Sequence, residues 1–180
     1  MKKILSIVTV LFMFMTYGCQ QQKEQKQQQT TPLAAPGISP LQIEQLQAAT
    51  RMSPKSAQAW ISLGDALMDS RRFGEAVEAY QKGLELDPKN VNARVDMGTS
   101  YRGIGKFDKA VDEYRKAIKI DPNFPNAHRN LAVVLSFDLR DTAQGIKEFN
   151  KYIELAPNAP DIEAVRQTVR ELTAGKTAGK

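Results

Sequence analysis

AVEAYQKGLELDPKN, residues 76–90, returns as AVDEYRKAIKIDPNF at residues 110–124 and, more loosely, as GIKEFNKYIELAPNA at residues 145–159. Pro88 and Pro122 stand 34 residues apart, as do Ala76 and Ala110, Tyr80 and Tyr114, and, upstream, Gly64 and Gly98. Pro157 follows Pro122 by 35 residues, so the third copy carries one extra residue, expected between its two helices within residues 137–144. Self-similarity at a fixed period of this size marks a stacked array, because one such unit cannot bury its apolar face alone. Trp60, Leu63, Gly64 and Leu67 fall at i, i+3, i+4 and i+7, one stripe of an α-helix, and Val77, Tyr80 and Leu84 form a similar stripe on the next. Gly64 facing Ala76 lets the two backbones approach. Asp87-Pro88 ends the second helix, since a residue before proline avoids the α region. The short turns at residues 72–74 and 105–107 force antiparallel pairing.

This pattern resembles the tetratricopeptide repeat. The first copy places Trp60, Leu63, Gly64, Leu67, Ala76, Tyr80, Gly83 and Pro88 at the family's signature positions. The second has Arg94 where Trp is usual, then Met97, Gly98, Tyr101, Ala110, Tyr114, Ala117 and Pro122. The third has His128, Leu131, Ala132, Leu135, Gly145, Phe149, Tyr152 and Pro157, with Tyr152 large where the family has Ala or Gly. The resemblance implies an all-α fold, a right-handed superhelical array of antiparallel helix pairs, with repeats at about 57–90, 91–124 and 125–159. A half copy aligned on Pro54 predicts an N-terminal helix over 41–53 that packs like a second-repeat helix. Ile162, Val165, Val169 and Leu172 make one apolar face and predict a capping helix over 160–173, closing a domain of residues 41–174 before a frayed tail at 175–180.

In this family the partner peptide lies in a concave groove lined by the first helices. Here spacing assigns to that groove Gln58, Ile61, Asp65, Met68 and Asp69 of the first repeat, Asn92, Val95, Thr99 and Arg102 of the second, and Asn126, Arg129, Val133 and Ser136 of the third. Ile61 and Asp65 replace the Lys and Asn that some members use to clamp chaperone tails. The groove reads as acidic at Asp65 and Asp69 and basic at Arg102 and Arg129, which suits a partner segment of mixed charge.

The N-terminus of the chain is an address. Lys2 and Lys3 precede an uncharged run of 14 residues, Ile4 to Tyr17, and then Gly18-Cys19. This is the layout of a secretory signal over residues 1–18, and the run is short of the roughly 20 residues a bilayer span needs. The Gly18-Cys19 junction resembles a bacterial lipobox, with Thr16 and Tyr17 off its pattern. It implies lipidation of Cys19, and Gln20 after it implies the outer membrane, facing the periplasm. Residues 19–40, rich in glutamine, have too little apolar content to offset chain entropy and read as a disordered tether.

Composition narrows the function. Without Lys2 and Lys3 the chain has 23 basic against 20 acidic residues, too even a mixture for nucleic-acid binding. One cysteine and one histidine, His128, supply neither a metal site nor a nucleophile–base pair. Gly175-Lys176-Thr177 lacks the upstream glycine of a phosphate loop, since Arg170 stands there. The expectation is no catalytic residue, no cofactor and no metal. The chain reads as a membrane-tethered adaptor or assembly factor of the cell envelope with a protein partner. The alternatives are a self-oligomerising scaffold or, without lipidation, a soluble periplasmic repeat protein.

Overall fold

The computed structural model describes residues 38–178, with side chains through Gly175. The signal segment and Cys19 lie outside the described residues. The described part is all-helical: α1 (Pro40–Met52), α2 (Ala57–Asp69), α3 (Phe73–Leu86), α4 (Val91–Gly103), α5 (Phe107–Ile120), α6 (Pro125–Val133) running into a π-helix (Val134–Asp138), α7 (Thr142–Leu155) and α8 (Ile162–Ala178). Helices α2/α3, α4/α5 and α6/α7 are the three repeat pairs, α1 the half repeat and α8 the cap. Helix starts follow local chemistry. Ser39, Ser56, Asn90 and Asp141 accept from backbone N–H groups at helix N-termini, and Pro125 opens α6 with its preset φ.

Tyr80 and Tyr114 are the largest fully buried side chains, and each fills the space left by a glycine. A Cβ on Gly64 would lie 2.7 Å from the Tyr80 ring, and one on Gly98 would lie 2.6 Å from Tyr114. Each glycine therefore leaves room for the tyrosine of its own repeat. Successive first helices also pack on one another, α2 on α4 and α4 on α6, whereas successive second helices make no comparable contact. The array thus closes on the first-helix side and opens on the second-helix side.

The extra residue of the third repeat is absorbed earlier than expected. The turn of each pair is closed by one backbone bond: Arg72 N–H to Leu67 C=O, Lys106 N–H to Tyr101 C=O, and Asp141 N–H to Leu135 C=O. The last spans one more residue, and the intervening segment is the π-helix rather than a longer loop. The left-handed turn residue keeps its place, as Arg71, Gly105 and Arg140. The wider turn carries Ser136 inward until it is 3% exposed, with its hydroxyl unpartnered. A Cβ on Gly145 would overlap that hydroxyl, which explains glycine where the other repeats have Ala76 and Ala110.

The cap also runs further than expected. Helix α8 continues to Ala178, through the start of the segment expected to fray, because Thr-Ala-Gly-Lys contains no proline to stop it. Ile162 and Val165 are buried with Ala132, Phe149 and Tyr152 in a second core cluster, separate from the main one.

Candidate functional site

The first helices carry the candidate groove, and the structure sorts its expected residues into three groups. Ile61, Val95 and Ser136 are core residues, not groove walls: Ile61 is 7% exposed and Val95 4%. A Cβ on Gly83 would lie 2.7 Å from Ile61, so this side chain closes the gap over a small residue of the second helix. Asp65 and Thr99 face inward far enough to engage the buried tyrosines: the Tyr80 hydroxyl donates to Asp65 at 2.7 Å, and Thr99 Oγ1 lies 3.2 Å from the Tyr114 hydroxyl. Phe149, which has no hydroxyl, takes the tyrosine's place in the third repeat, where Val133 is apolar. Gln58, Asp69, Asn92, Arg102 and Asn126 are exposed; Met68, Arg129 and Val133 are half-buried.

The basic end of the groove is neutralised from within the chain. Arg102 Nε donates to Asp138 of the π-helix at 2.5 Å, and Arg129 Nε donates to Asp161 at 2.6 Å. Asp161 also accepts from the Tyr152 hydroxyl at 2.5 Å. Tyr152 stands where Gly83 and Ala117 do, and Arg129 where Ile61 and Val95 do, so a small–apolar pair has become a polar network joined to the start of the cap. The Tyr152 hydroxyl and the Arg129 guanidinium hold the Asp161 carboxyl below its usual range.

The acidic end is not neutralised. Asp65 and Asp69 of α2 are joined by Asp96 of α4, a residue the stripe reading omitted although it stands four residues after Asn92 and three before Thr99. Among the described residues no hydrogen bond or ion pair reaches the carboxylates of Asp69 and Asp96. Burial, with repulsion from Asp65 and Asp69, pushes the Asp96 carboxyl up to about 6. Burial likewise raises Asp65, against the lowering effect of the Tyr80 hydroxyl. Burial and the neighbouring Asp65 push the Tyr80 hydroxyl above its usual range, and burial takes Tyr114 up to about 12.

On the opposite side of the first helices, three chemically different side chains do one job. Trp60 Nε1 donates to Pro54 C=O at 2.9 Å, an Arg94 amine to Pro88 C=O at 2.8 Å, and His128 Nε2 lies 3.0 Å from Pro122 C=O. Each reaches back six residues to the preceding turn, so a donor, not an aromatic ring as such, is what the position requires. Arg94 also pairs with Glu113 at 2.8 Å, and His128 Nδ1 lies 2.7 Å from Glu148, whereas Ala79 stands at the matching place beside Trp60.

Three family models match, described as TPR repeat over residues 98–136 and as tetratricopeptide repeat over residues 43–91 and 79–112. The folded chain is a tetratricopeptide-repeat array. Solved structures of similar fold include a crystal structure of MamA, at 20% identity and TM-score 0.70, covering 76% of this chain and 77% of that one. A second MamA structure matches at 29% identity and TM-score 0.58, covering 64% and 63%. The first tetratricopeptide repeat domain of Spaghetti, bound to the HSP90 peptide SRMEEVD, matches at 20% identity and TM-score 0.62, covering 68% and 94%. No curated protein matches the sequence significantly. Tetratricopeptide-repeat domains are typically non-catalytic modules for protein–protein interaction. No described helix is long and apolar enough to cross a membrane.

Proposed function

We propose that the chain is a membrane-tethered adaptor or assembly factor of the bacterial cell envelope that holds a basic segment of a partner protein in the groove of α2, α4 and α6. The observation that carries the choice of partner is the charge balance of that groove. Arg102 and Arg129 are engaged by Asp138 and Asp161, while Asp69 and Asp96 keep free carboxylates. An electronegative groove steers and retains cationic segments. The same balance opposes an acidic tail such as the SRMEEVD peptide held by the Spaghetti domain. Tethering rests on the uncharged run from Ile4 to Tyr17 and on Gly18-Cys19.

Crosslinked pull-down from cell envelopes tests the adaptor reading. One stoichiometric partner is expected, lost when Asp69→Lys and Asp96→Lys are combined and retained when Arg102→Gln is introduced. Retention of the partner by the double variant would overturn the groove assignment. Metabolic labelling with palmitate is expected to mark the wild type and spare Cys19→Ala. An unlabelled wild type would remove the anchor.

A further inference from the structure

Helices α1 and α3 both pack on α2 and leave between them a cavity of about 530 Å³. Its floor is Trp60, Leu63, Leu67 and Ala79; its rim carries Glu75, Glu78, Glu85 and Lys82. Leu63, Leu67 and Ala79 are core residues, so the floor is apolar, and the rim has three carboxylates to one ammonium.

The second repeat carries other side chains at the corresponding positions. There Tyr101 stands in place of Leu67, and the Lys109 ammonium lies 5.6 Å from the centre of its ring. Glu113 stands in place of Ala79 and holds both the Arg94 guanidinium and the Lys116 ammonium, at 2.8 and 2.7 Å. Aromatic ring, cation and carboxylate are all present. In the first repeat Leu67 and Ala79 replace Tyr101 and Glu113 and Glu75 replaces Lys109, so the ring and carboxylates come from other positions, Trp60 and the glutamates, and the cation of Lys109 gives way to a carboxylate. Arg72, just outside the lining, pairs with Glu75, and Lys82 with Glu85, leaving Glu78 without a paired cation among the described residues. A hollow of about 420 Å³ beside His128 and Glu148 differs in this respect, because Lys147 and Lys151 line it.

We propose that the cavity between α1 and α3 is a second docking site, which receives a lysine- or arginine-bearing helix of a partner protein. Its apolar residues would enter over Leu63 and Leu67, and a cationic head would meet Trp60 and Glu78. An ammonium or guanidinium over an indole face is favourable, more so when a carboxylate closes the other side. An amphipathic helix is the secondary structure that presents both groups along one groove.

Trp60 is the sole tryptophan and lines the cavity, so its fluorescence reports occupancy. The probe is an acetylated, amidated helix of about 14 leucines, lysines and alanines, with leucines at helical spacing. Its control has glutamate for lysine. Titration of the full chain with the lysine peptide is expected to shift Trp60 emission saturably, and the glutamate peptide to leave it unmoved. Glu78→Lys with Glu85→Lys should weaken the response at least tenfold, with an unchanged circular dichroism spectrum. Asp69→Asn with Asp96→Asn, on the opposite face, should leave the response intact. Unmoved emission with the lysine peptide, a response that survives Glu78→Lys with Glu85→Lys, or one that disappears with Asp69→Asn and Asp96→Asn would overturn the proposal. That last result would assign the peptide to the groove of α2, α4 and α6 and leave the adaptor reading standing.

Discussion

Among the described carboxylates, Asp96 departs furthest from its ordinary state. Its carboxyl, pushed up to about 6 in the folded chain, returns to about 3.8 on unfolding. Between those values the folded state binds more protons than the unfolded one, so stability falls as pH rises from about 4 to 6 and is level above. For a fully buried group that shift corresponds to about 3 kcal/mol; solvent screening at this half-buried position reduces it to about 1. Asp96→Asn is expected to flatten the decline and to raise stability at pH 7 by about 1 kcal/mol. Urea unfolding of both proteins at pH 4.5 and 7 measures it, and identical pH profiles would contradict it. Gly145 makes a second prediction at this scale. Alanine is the residue of the other two repeats there, yet Gly145→Ala should cost about 1–3 kcal/mol by overpacking against Ser136. Ser136→Gly should recover part of that loss, short of about 1 kcal/mol for glycine in a helix. A double-mutant cycle with no coupling between the two sites would refute the contact.

Among the elements, the cap is held by one polar knot as well as by its apolar face. Asp161 accepts from both Tyr152 and Arg129 and precedes α8 directly. Because its carboxyl is held below the usual range, its contribution is present above the unfolded carboxylate range and is lost as pH falls through the lowered folded value. Asp161→Ala should therefore raise hydrogen exchange in α8 selectively, with α2–α5 unchanged, and acid should do the same to the wild type. Uniform protection in the variant would show that the apolar face alone holds the helix. The elements were the most legible level of the sequence, because the repeat recurs in residues that pack: Gly64 and Tyr80, Gly98 and Tyr114. The π-helix was not legible. A one-residue excess in the spacing of Pro122 and Pro157 shows that something is inserted, but backbone bonding decides whether a loop lengthens or a helix widens. The groove was legible only in outline. Spacing puts Arg102 and Arg129 on first helices, but Asp138 and Asp161, which neutralise them, come from segments 36 and 32 residues away. Asp96 escaped because its burial depends on α2.

At the scale of the whole molecule, a solenoid is stabilised chiefly between neighbours, so its two ends are separable experiments. They are not equivalent here. Helix α1 buries Ile43 and Thr50, with Leu46 half-buried, and Ser53 and Pro54 remain to complete the Trp60 hydrogen bond if the chain is begun after Met52. Helix α8 buries Ile162 and Val165, adds Val169 and Leu172 at the edge, and covers Phe149 and Tyr152, which have no other neighbouring repeat. Each large side chain returned to water costs about 1.5–3 kcal/mol, so ending the chain at Asn158 exposes several such groups at once and also removes Asp161. A chain beginning at Ser53 is expected to remain folded and soluble, with a modest loss in urea midpoint. A chain ending at Asn158 is expected to lose far more, with α6 and α7 the first to exchange. Because stability passes between neighbours, α2–α5 should keep most of their protection even then. Equal losses from the two truncations, or a single cooperative collapse on removing α8, would show that the two core clusters act as one.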